Sequence, residues 1–240
     1  MTIPVMEIFG PTIQGEGMVI GRKTMFVRTA GCDYSCSWCD SKFTWDGSEK
    51  DAIRKMEPEE IFEALKEAGG ENFGHVTISG GNPALLARLD GLVDLLHEHG
   101  MKVALETQGS KWQDWFIHID DLTLSPKPPS SGMKTDFSVL DFIIDSLQRK
   151  QKGEFSLKVV IFEEADLEYA QHIHQRYPDV ELFLQVGNDD LETVEEQEFL
   201  PYSLRRYERL IDRVMEDDIL KDVRVLPQLH TYLWGNKRGV

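Results

Sequence analysis

Short runs of apolar and β-branched residues alternate along most of the chain with longer segments that repeat apolar residues every three or four positions. The short runs predict strands at 24–29, 75–79, 102–106, 122–125, 157–162 and 182–186, with a last strand near 223–226. The longer segments predict helices at 58–68, 84–99, 137–148, 165–177 and 195–216. Because strands such as LKVVIF (157–162) are almost entirely apolar, we expect an α/β protein with a parallel sheet covered by helices.

These strand–helix units are too few for a complete eight-fold barrel, so they predict a partial barrel or an open sheet. In both architectures the functional loops leave the carboxyl ends of the strands. Glycines and polar residues follow several predicted strands, as SGGNP (79–83), ETQG (106–109), SPK (125–127) and QVGND (185–189). We therefore expect the functional site at that end of the sheet. No repeat or linker divides the chain, which predicts a single domain over 1–240.

The amino-acid composition limits the kinds of molecule that the protein is expected to bind. The chain has 240 residues and a net charge of −16, which argues against a nucleic-acid-binding surface. No run approaches the roughly 18–20 apolar residues that a membrane-spanning helix needs. The first residues lack the basic start and apolar stretch of a signal peptide. We expect a cytoplasmic protein that binds neither nucleic acid nor membrane.

All three cysteines lie within eight positions, as Cys32, Cys36 and Cys39. Three thiolates can hold three irons of a [4Fe–4S] cluster, which leaves the fourth iron open to an outside ligand. A disulfide would leave one cysteine unpaired, and structural zinc needs four ligands, with His75 the nearest histidine in sequence. A catalytic zinc with three cysteines and a water stays possible. Ligand softness and spacing favour iron.

The cysteine loop, with Trp38 before Cys39 and SGG at the end of the second core strand, resembles the radical S-adenosylmethionine (SAM) enzymes. That resemblance implies a partial (β/α)6-type barrel in which SAM chelates the open iron and is cleaved by one electron. The implied cofactor-binding residues are Trp38, Asp40, Gly80, Gly81, Ser125, Pro126 and Lys127, and Asn82 replaces the glutamate that is usual after the glycines. Gln185 and Asn188 are expected to bind the cofactor because they lie at another strand end that faces it. Glu106 is expected either to hydrogen-bond the cofactor hydroxyls or to form a structural ion pair.

Further segments resemble one family within that superfamily, the 7-carboxy-7-deazaguanine synthases. They are EIFGPTIQGEG (7–17), FVRTAGCDYSCSWCDS (26–41), SGGNPAL (79–85), SPKPP (125–129) and LPQLHTYLWGNKRGV (226–240). The resemblance implies a lyase that converts 6-carboxy-5,6,7,8-tetrahydropterin to 7-carboxy-7-deazaguanine with release of ammonia, on the route to 7-deazapurines such as queuosine. It also implies a homodimer and an external electron donor such as a flavodoxin.

The same resemblance suggests where the substrate binds. Arg28 can hold the substrate carboxylate through paired hydrogen bonds. Ser41 occupies the position that contributes a hydroxyl to Mg²⁺, which prefers oxygen ligands. An N-terminal substrate loop (1–23) and a C-terminal tail (223–240) are expected to fold onto the core. The implied substrate-binding residues are Ile13, Gln14, Gly15, Glu16, Arg28, Ser79 and Val240.

Two other functions fit the cysteine loop. A radical SAM activase would act on a polypeptide, and it would not need IQGEG and Arg28 around a compact pocket. An iron–sulfur or zinc sensor would bind a partner without catalysis, and three cysteines with a cofactor-facing glycine block weigh against it.

Overall fold

A computed structural model of the chain describes residues 2–150, 153–190 and 196–240. The strands are β1 (Ile3–Ile13), β2 (Lys23–Thr29), β3 (Arg54–Met56), β4 (His75–Gly80), β5 (Lys102–Thr107), β6 (Asp121–Leu124), β7 (Glu154–Ile161), β8 (Leu182–Val186) and β9 (Arg224–Leu226). The helices are α1 (Pro58–Gly69), α2 (Asp90–Glu98), α3 (Phe137–Lys150), α4 (Glu164–Arg176), α5 (Glu196–Met215) and α6 (Leu229–Trp234). In this part of the chain no helix is both long and apolar enough to cross a membrane.

The strands form a sheet in the order β3-β1-β2-β4-β5-β6-β7-β8-β9. Neighbouring strands from β2 to β9 run parallel, whereas β1 runs antiparallel to both β2 and β3. An α-helix lies in each connection between neighbouring parallel strands except that from β5 to β6, which contains the 3₁₀ helix Asp114–His118. The sheet does not close on itself. The predicted fold class, a partial α/β barrel with parallel strands and helices outside, is confirmed.

The hydrophobic core lies between the sheet and the helices. Alternate residues of β7 show why the two faces differ. Leu157, Val159 and Ile161 belong to the apolar cluster that the helices cover, whereas Lys158 and Val160 point to the opposite face and line a cavity. Each fully buried aliphatic side chain in such a cluster contributes about 1.5–3 kcal/mol relative to its exposed state. The core therefore stabilises the sheet and its helices, and the other face of the sheet is free to carry the functional site.

The first strand is the main element that the sequence pattern did not predict. Residues 1–23 were expected to be a loop, but β1 occupies most of that range. Gly10 and Pro11, joined by a cis peptide bond, interrupt the alternation of apolar residues within β1. At the same two residues, the pairing of β1 with β2 shifts register, between Phe9 and Thr12. Glycine and proline are typical of turns, which is why the sequence signal for a strand is weak there.

Helix α2 begins later than predicted. Its apolar spacing favoured a start at residue 84, but Pro83–Leu85 form a separate 3₁₀ turn and α2 starts at Asp90. The side chain of Asn82 accepts a hydrogen bond from the backbone N–H of Ala84 at 3.2 Å, which caps that turn. The short elements β3 and α6 were also not predicted. The predicted helix at 195–216 corresponds to α5, and its first residue, 195, lies outside the described residues.

The frame can be tested at one core position. Leu65 of α1 is fully buried, so replacing it with alanine leaves a cavity. We expect Leu65→Ala to lower the free energy of unfolding by about 2–5 kcal/mol in urea denaturation. Leu204 of α5 is 47% exposed and serves as a matched control. Leu204→Ala should change stability by no more than about 0.5 kcal/mol. Equal effects of the two substitutions would contradict this description of the core.

Candidate active site

A cavity of about 460 Å³ opens at the carboxyl ends of the parallel strands. Arg28 comes from the end of β2, Ser79 and Gly80 from the end of β4, and Glu106 from the end of β5. The cysteine loop after β2 forms one wall, and the C-terminal tail forms another. This location matches the general placement of sites in α/β proteins with parallel strands.

Most of the predicted site residues meet in this cavity. Those on its walls are Ile13, Gln14, Gly15, Glu16, Arg28, Cys32, Cys36, Trp38, Cys39, Asp40, Ser41, Ser79, Gly80, Gly81, Glu106, Lys127, Asn188 and Val240. Ser125, Pro126 and Gln185 are buried and do not line it. Ser125 instead accepts a hydrogen bond from Lys127 Nζ at 3.1 Å, and Gln185 accepts one from the backbone N–H of Gly17 at 3.4 Å. Their predicted contact with the cofactor gains no support from the cavity.

The cysteine loop is held close to the end of β4 because two glycines leave room for it. A Cβ on Gly80 would come within 2.1 Å of the carbonyl oxygen of Thr29. A Cβ on Gly81 would come within 2.1 Å of the carbonyl oxygen of Gly31 and 3.1 Å of the backbone nitrogen of Cys32. Side chains at these positions would therefore push the cysteine loop away from the sheet.

The three thiols fit a sulfur-ligated metal group. All are free, and they face the cavity from one short loop. Trp45 Nε1 donates a hydrogen bond to Cys39 Sγ at 3.4 Å, and the backbone N–H of Tyr34 donates one to Cys32 Sγ at 3.4 Å. Such N–H···S bonds are typical of thiolates that ligate iron–sulfur clusters. Burial raises the pKa of Cys36 to about 11, so this thiol stays protonated until a bound cation favours the thiolate.

Asn82, which replaces the usual glutamate, has a structural role. It is buried, and its Oδ1 accepts a hydrogen bond from Thr107 Oγ1 at 2.7 Å. Its Nδ2 donates to Asp33 Oδ1 at 2.8 Å, and Asp33 also accepts from Gln108 Nε2 at 2.6 Å. These bonds tie the cysteine loop to the ends of β4 and β5. Sequence reasoning quoted the segments that contain Asp33 and Gln108 but gave these two residues no role, because their contact joins loops that are far apart in sequence.

Trp38 is oriented by contacts outside the cysteine loop. Its Nε1 donates a hydrogen bond to Ser130 Oγ at 3.0 Å, and its ring lies 4.8 Å from that of Phe162. Lys127 Nζ lies 5.9 Å from the centre of the Trp38 ring. A cation at this distance from an indole face is weakly attracted to it. The predicted cofactor-binding residues Trp38 and Lys127 are thus neighbours on the same wall of the cavity.

Arg28 and Ser41 form a polar corner beside the cysteine loop. Arg28 donates a hydrogen bond to Ser41 Oγ at 2.9 Å, and Ser41 in turn donates to Asp40 Oδ1 at 2.7 Å. Arg28 Nε lies 2.7 Å from Glu7 Oε1, across the β1–β2 pair. The guanidinium also lies within 6 Å of the Phe9 and Phe43 rings, at 5.6 and 5.7 Å from their centres. These contacts hold Arg28 in one orientation at the cavity wall.

Lys158 lies on the face of β7 that lines the cavity and is the main residue that sequence reasoning missed. Its side chain is 1% exposed, and its Nζ lies 2.5 Å from Glu16 Oε2 and 2.5 Å from Glu106 Oε1. Burial alone would raise the pKa of Glu16, but the charges of Lys158 and His230 and hydrogen bonds from Lys158 and Gln228 outweigh burial and lower it to about 2. A lone lysine within the apolar strand LKVVIF was the available signal.

The C-terminal tail folds over the loop that follows β1. The backbone N–H of Leu229 donates to the carbonyl oxygen of Gly15 at 3.0 Å, and Gln228 Nε2 donates to Glu16 Oε1 at 2.8 Å. A Cβ on Gly15 would lie 2.4 Å from His230 Nδ1, so only glycine lets α6 approach. Further along, Arg238 contacts Glu7 at 2.7 Å and lies 3.5 Å from the centre of the Phe43 ring. The tail thereby covers the cavity beside Val240.

One group of side chains also has the geometry to hold a metal ion. Ligand atoms of Glu16, Asp40 and His230 all lie within 4.8 Å of one another. Asp40 adjoins Ser41, whose hydroxyl was predicted to contact Mg²⁺. The carboxylate oxygens of Glu16 and Asp40 suit Mg²⁺, which usually keeps several waters and few protein ligands, whereas the imidazole nitrogen of His230 is more typical of a transition-metal ligand.

Comparison with known proteins agrees with the fold and the cysteine loop. The sequence profile of the Radical SAM superfamily matches residues 26–124. The crystal structure of QueE from Escherichia coli superposes with a TM-score of 0.67 over 95% of both chains, at 23% sequence identity, which shows a shared fold. The protein has an open, mostly parallel sheet with three free cysteines after its first parallel strand. Together with the profile match, these features identify it as a radical SAM enzyme. Membership of this superfamily implies a [4Fe–4S] cluster and SAM.

Two curated relatives define the family more narrowly. A 7-carboxy-7-deazaguanine synthase of Bacillus subtilis (strain 168) is 64% identical over 239 residues, covering 99% of this chain and 98% of the relative. A protein of the same name from Bacillus cereus is 62% identical over 238 residues, covering 99% of each. The chain belongs to the 7-carboxy-7-deazaguanine synthase family.

The ion pair of Glu16 predicts a pH-dependent stability difference. Glu16→Gln leaves Lys158 with less compensating charge in a buried position, so it should lower the free energy of unfolding at pH 7 by roughly 3 kcal/mol. Because the pKa of Glu16 falls from 4.5 to about 2 on folding, the stabilisation is complete above pH 4.5 and is lost as the pH falls towards 2.

Urea denaturation of both proteins between pH 7 and pH 3.5 measures this difference. Glu63→Gln, at an exposed position on α1, is the control and should show a small difference that does not depend on pH. A wild-type advantage over Glu16→Gln that grows as the pH falls would contradict the ion pair.

Proposed function

We propose that the protein converts 6-carboxy-5,6,7,8-tetrahydropterin to 7-carboxy-7-deazaguanine with release of ammonia, as a radical SAM lyase of 7-deazapurine biosynthesis. The observation that carries the proposal is the presence of three free thiols, an oriented arginine and a partly buried carboxylate, that of Glu16, around one cavity. The relatives that share 62–64% of the sequence carry the name of this activity. The cavity volume of about 460 Å³ lies within the usual range of small-molecule sites.

At the cysteine wall, Cys32, Cys36 and Cys39 would hold the [4Fe–4S] cluster, with one iron left for SAM. When bound, the cluster and SAM supply the one-electron chemistry that produces a hydrogen-abstracting radical. The backbone at Gly80 and Gly81 lies beside the cysteine loop, where its carbonyl oxygens can accept hydrogen bonds from the amino group of SAM. Trp38, Asp40, Lys127 and Asn188 complete this side of the cavity.

Beside the cysteine loop, Arg28 would bind the substrate carboxylate through paired hydrogen bonds, because its guanidinium is already oriented by Glu7 and Ser41. Mg²⁺, held at Ser41 through its hydroxyl, would neutralise the same carboxylate. The loop of Ile13, Gln14, Gly15 and Glu16 would bind the pterin edge that carries N–H groups. Glu16 is suited to this role because it is ionised and accepts hydrogen bonds.

The C-terminal tail would complete the substrate side with the carboxylate of Val240. Its contacts with Gly15, Glu16 and Glu7 hold it over the cavity, where it would limit the access of water. Exclusion of water protects a radical from quenching. The same covering tail disfavours a polypeptide substrate, as a glycyl-radical activase would require.

The proposal extends to the protein's partners. An external donor such as a flavodoxin would supply the electron, since the three cysteines provide for one cluster. A homodimer and a cytoplasmic location are proposed on the family resemblance, and a reducing compartment suits three free thiols.

The activity is tested by anaerobic reconstitution of the protein with iron and sulfide, followed by SAM, dithionite, Mg²⁺ and the carboxytetrahydropterin. We expect 7-carboxy-7-deazaguanine in mass spectrometry, with a lower rate when Mg²⁺ is omitted. Cys36→Ala should reduce SAM cleavage to the background level, because one iron loses its ligand. Modification of a protein without any deazaguanine product would contradict the proposal and favour the activase.

The role of Arg28 is tested separately from the radical step. Arg28→Ala should raise the KM for the pterin about 10- to 100-fold, the cost of charged hydrogen bonds to a carboxylate. Slow SAM cleavage without substrate should persist, since Arg28 does not contact the cysteine sulfurs. Arg224→Ala, which removes a surface arginine paired with Glu181, is the control and should leave both rates unchanged. Equal loss of substrate binding and uncoupled cleavage in Arg28→Ala would refute its assigned role.

A further inference from the structure

Lys158 reaches across the sheet to two carboxylates on different elements. It lies on β7, Glu106 lies on β5, and β6 runs between them. The gap of two strand spacings is about 9–10 Å, which a lysine and a glutamate can bridge together. On β6, Thr123 lies directly opposite Glu106 in the register and is small enough to let the two side chains meet above it. The third partner, Glu16, comes from the loop after β1.

The backbone around Gly17 covers this lysine. A Cβ on Gly17 would lie 3.4 Å from Thr123 Oγ1 and 3.8 Å from Lys158 Cδ, and its φ of +62° is one that glycine adopts readily. Gln185 Oε1 accepts the backbone N–H of Gly17, which explains why Gln185 is buried behind the cavity wall. Lys158 is therefore shielded from water on the side away from its two carboxylates.

A charge in this position is costly unless it is paired. Removing one partner of a buried ion pair costs about 3–5 kcal/mol, because the remaining charge is left without compensation. Burial would lower the pKa of Lys158, but Glu106 and Glu16 outweigh burial and raise it, so the lysine stays charged. Three further groups face Glu16, namely Gln228 at 2.8 Å, His230 at 3.8 Å and the nearby carboxylate of Asp40.

The two carboxylates line one cavity and come from different elements. Glu16 belongs to the loop proposed to bind the pterin, and Glu106 lies at the strand end proposed to face SAM. We infer that Lys158 is a positioning residue that orients Glu16 towards the pterin and Glu106 towards SAM, so that one cation sets the geometry of both ligand sites. The inference rests on the proposed function, since it assigns one ligand to each carboxylate.

The test measures the two affinities separately on the reconstituted holoenzyme, by anaerobic equilibrium dialysis with SAM or with 6-carboxytetrahydropterin and without reductant. Lys158→Met keeps an unbranched side chain and removes the charge. We expect it to weaken binding of both ligands by about tenfold, within the usual range of coupling between groups in one network. Lys158→Arg should restore part of both affinities. The control, Lys102→Met at an exposed position on β5, should change neither.

Double variants separate positioning from a general structural effect. In a Glu106→Gln background, adding Lys158→Met should weaken SAM binding by less than about threefold, because the carboxylate on which Lys158 acts is already neutral. In a Glu16→Gln background, adding Lys158→Met should likewise weaken binding of the pterin by less than about threefold. Full additive losses in both backgrounds, or loss of one ligand alone in Lys158→Met, would overturn the inference.

One double variant keeps the test valid if Lys158→Met does not fold. Lys158→Met/Glu106→Gln retains one negative charge, which is also the net charge of the lysine and its two carboxylates in the wild type. Compared with Glu106→Gln alone, it should bind SAM equally well and the pterin more weakly. Equal pterin binding would overturn the inference. Failure of the wild type to bind the pterin would instead refute the proposed function, so the two failures are distinguishable.

Discussion

The contact of Lys158 with Glu16 and Glu106 is the interaction on which the cavity depends. An ammonium group in this buried position is stable only when carboxylates lie within hydrogen-bond distance, and both do so at 2.5 Å. Because the carboxylates come from the loop after β1 and from β5, the lysine on β7 fixes three elements relative to one another. Gln228 then attaches the C-terminal tail to the same carboxylate of Glu16. The charges that make the site polar therefore also determine its shape.

The wall of the cavity that the cysteine loop forms is held in place in a different way. There the cysteine loop approaches the sheet through two glycines, and Asn82, Asp33 and Gln108 connect it to neighbouring strand ends by hydrogen bonds. Arg28 is fixed by Glu7 and Ser41 between aromatic rings. Both walls thus present functional groups that are oriented before any ligand binds. Such preorganisation reduces the free energy needed to orient groups during the reaction.

Much of the frame follows from the sequence, for identifiable reasons. The apolar strands β4 to β8 have a clear pattern and were predicted within a few residues, whereas Gly10 and Pro11 hide β1 and Asn82 replaces the expected start of α2 by a capped turn. Motifs located most of the cavity-lining residues. Lys158 was missed, and Gln228 and His230 were given no role although their motif was quoted. The roles of all three arise from contacts between residues far apart in sequence, such as Lys158 with Glu16. Gln185 was assigned to the cofactor because it ends a strand, but its side chain supports Gly17.

A crystal structure of the reconstituted holoenzyme with SAM and the carboxytetrahydropterin tests the central claim most directly. The account predicts Lys158 Nζ within hydrogen-bond distance of both carboxylates, with Glu16 bonded to the pterin and Glu106 bonded to SAM. It also predicts Arg28 at the pterin carboxylate. A complex in which Lys158 has left either carboxylate, or in which one carboxylate contacts neither ligand, would contradict it.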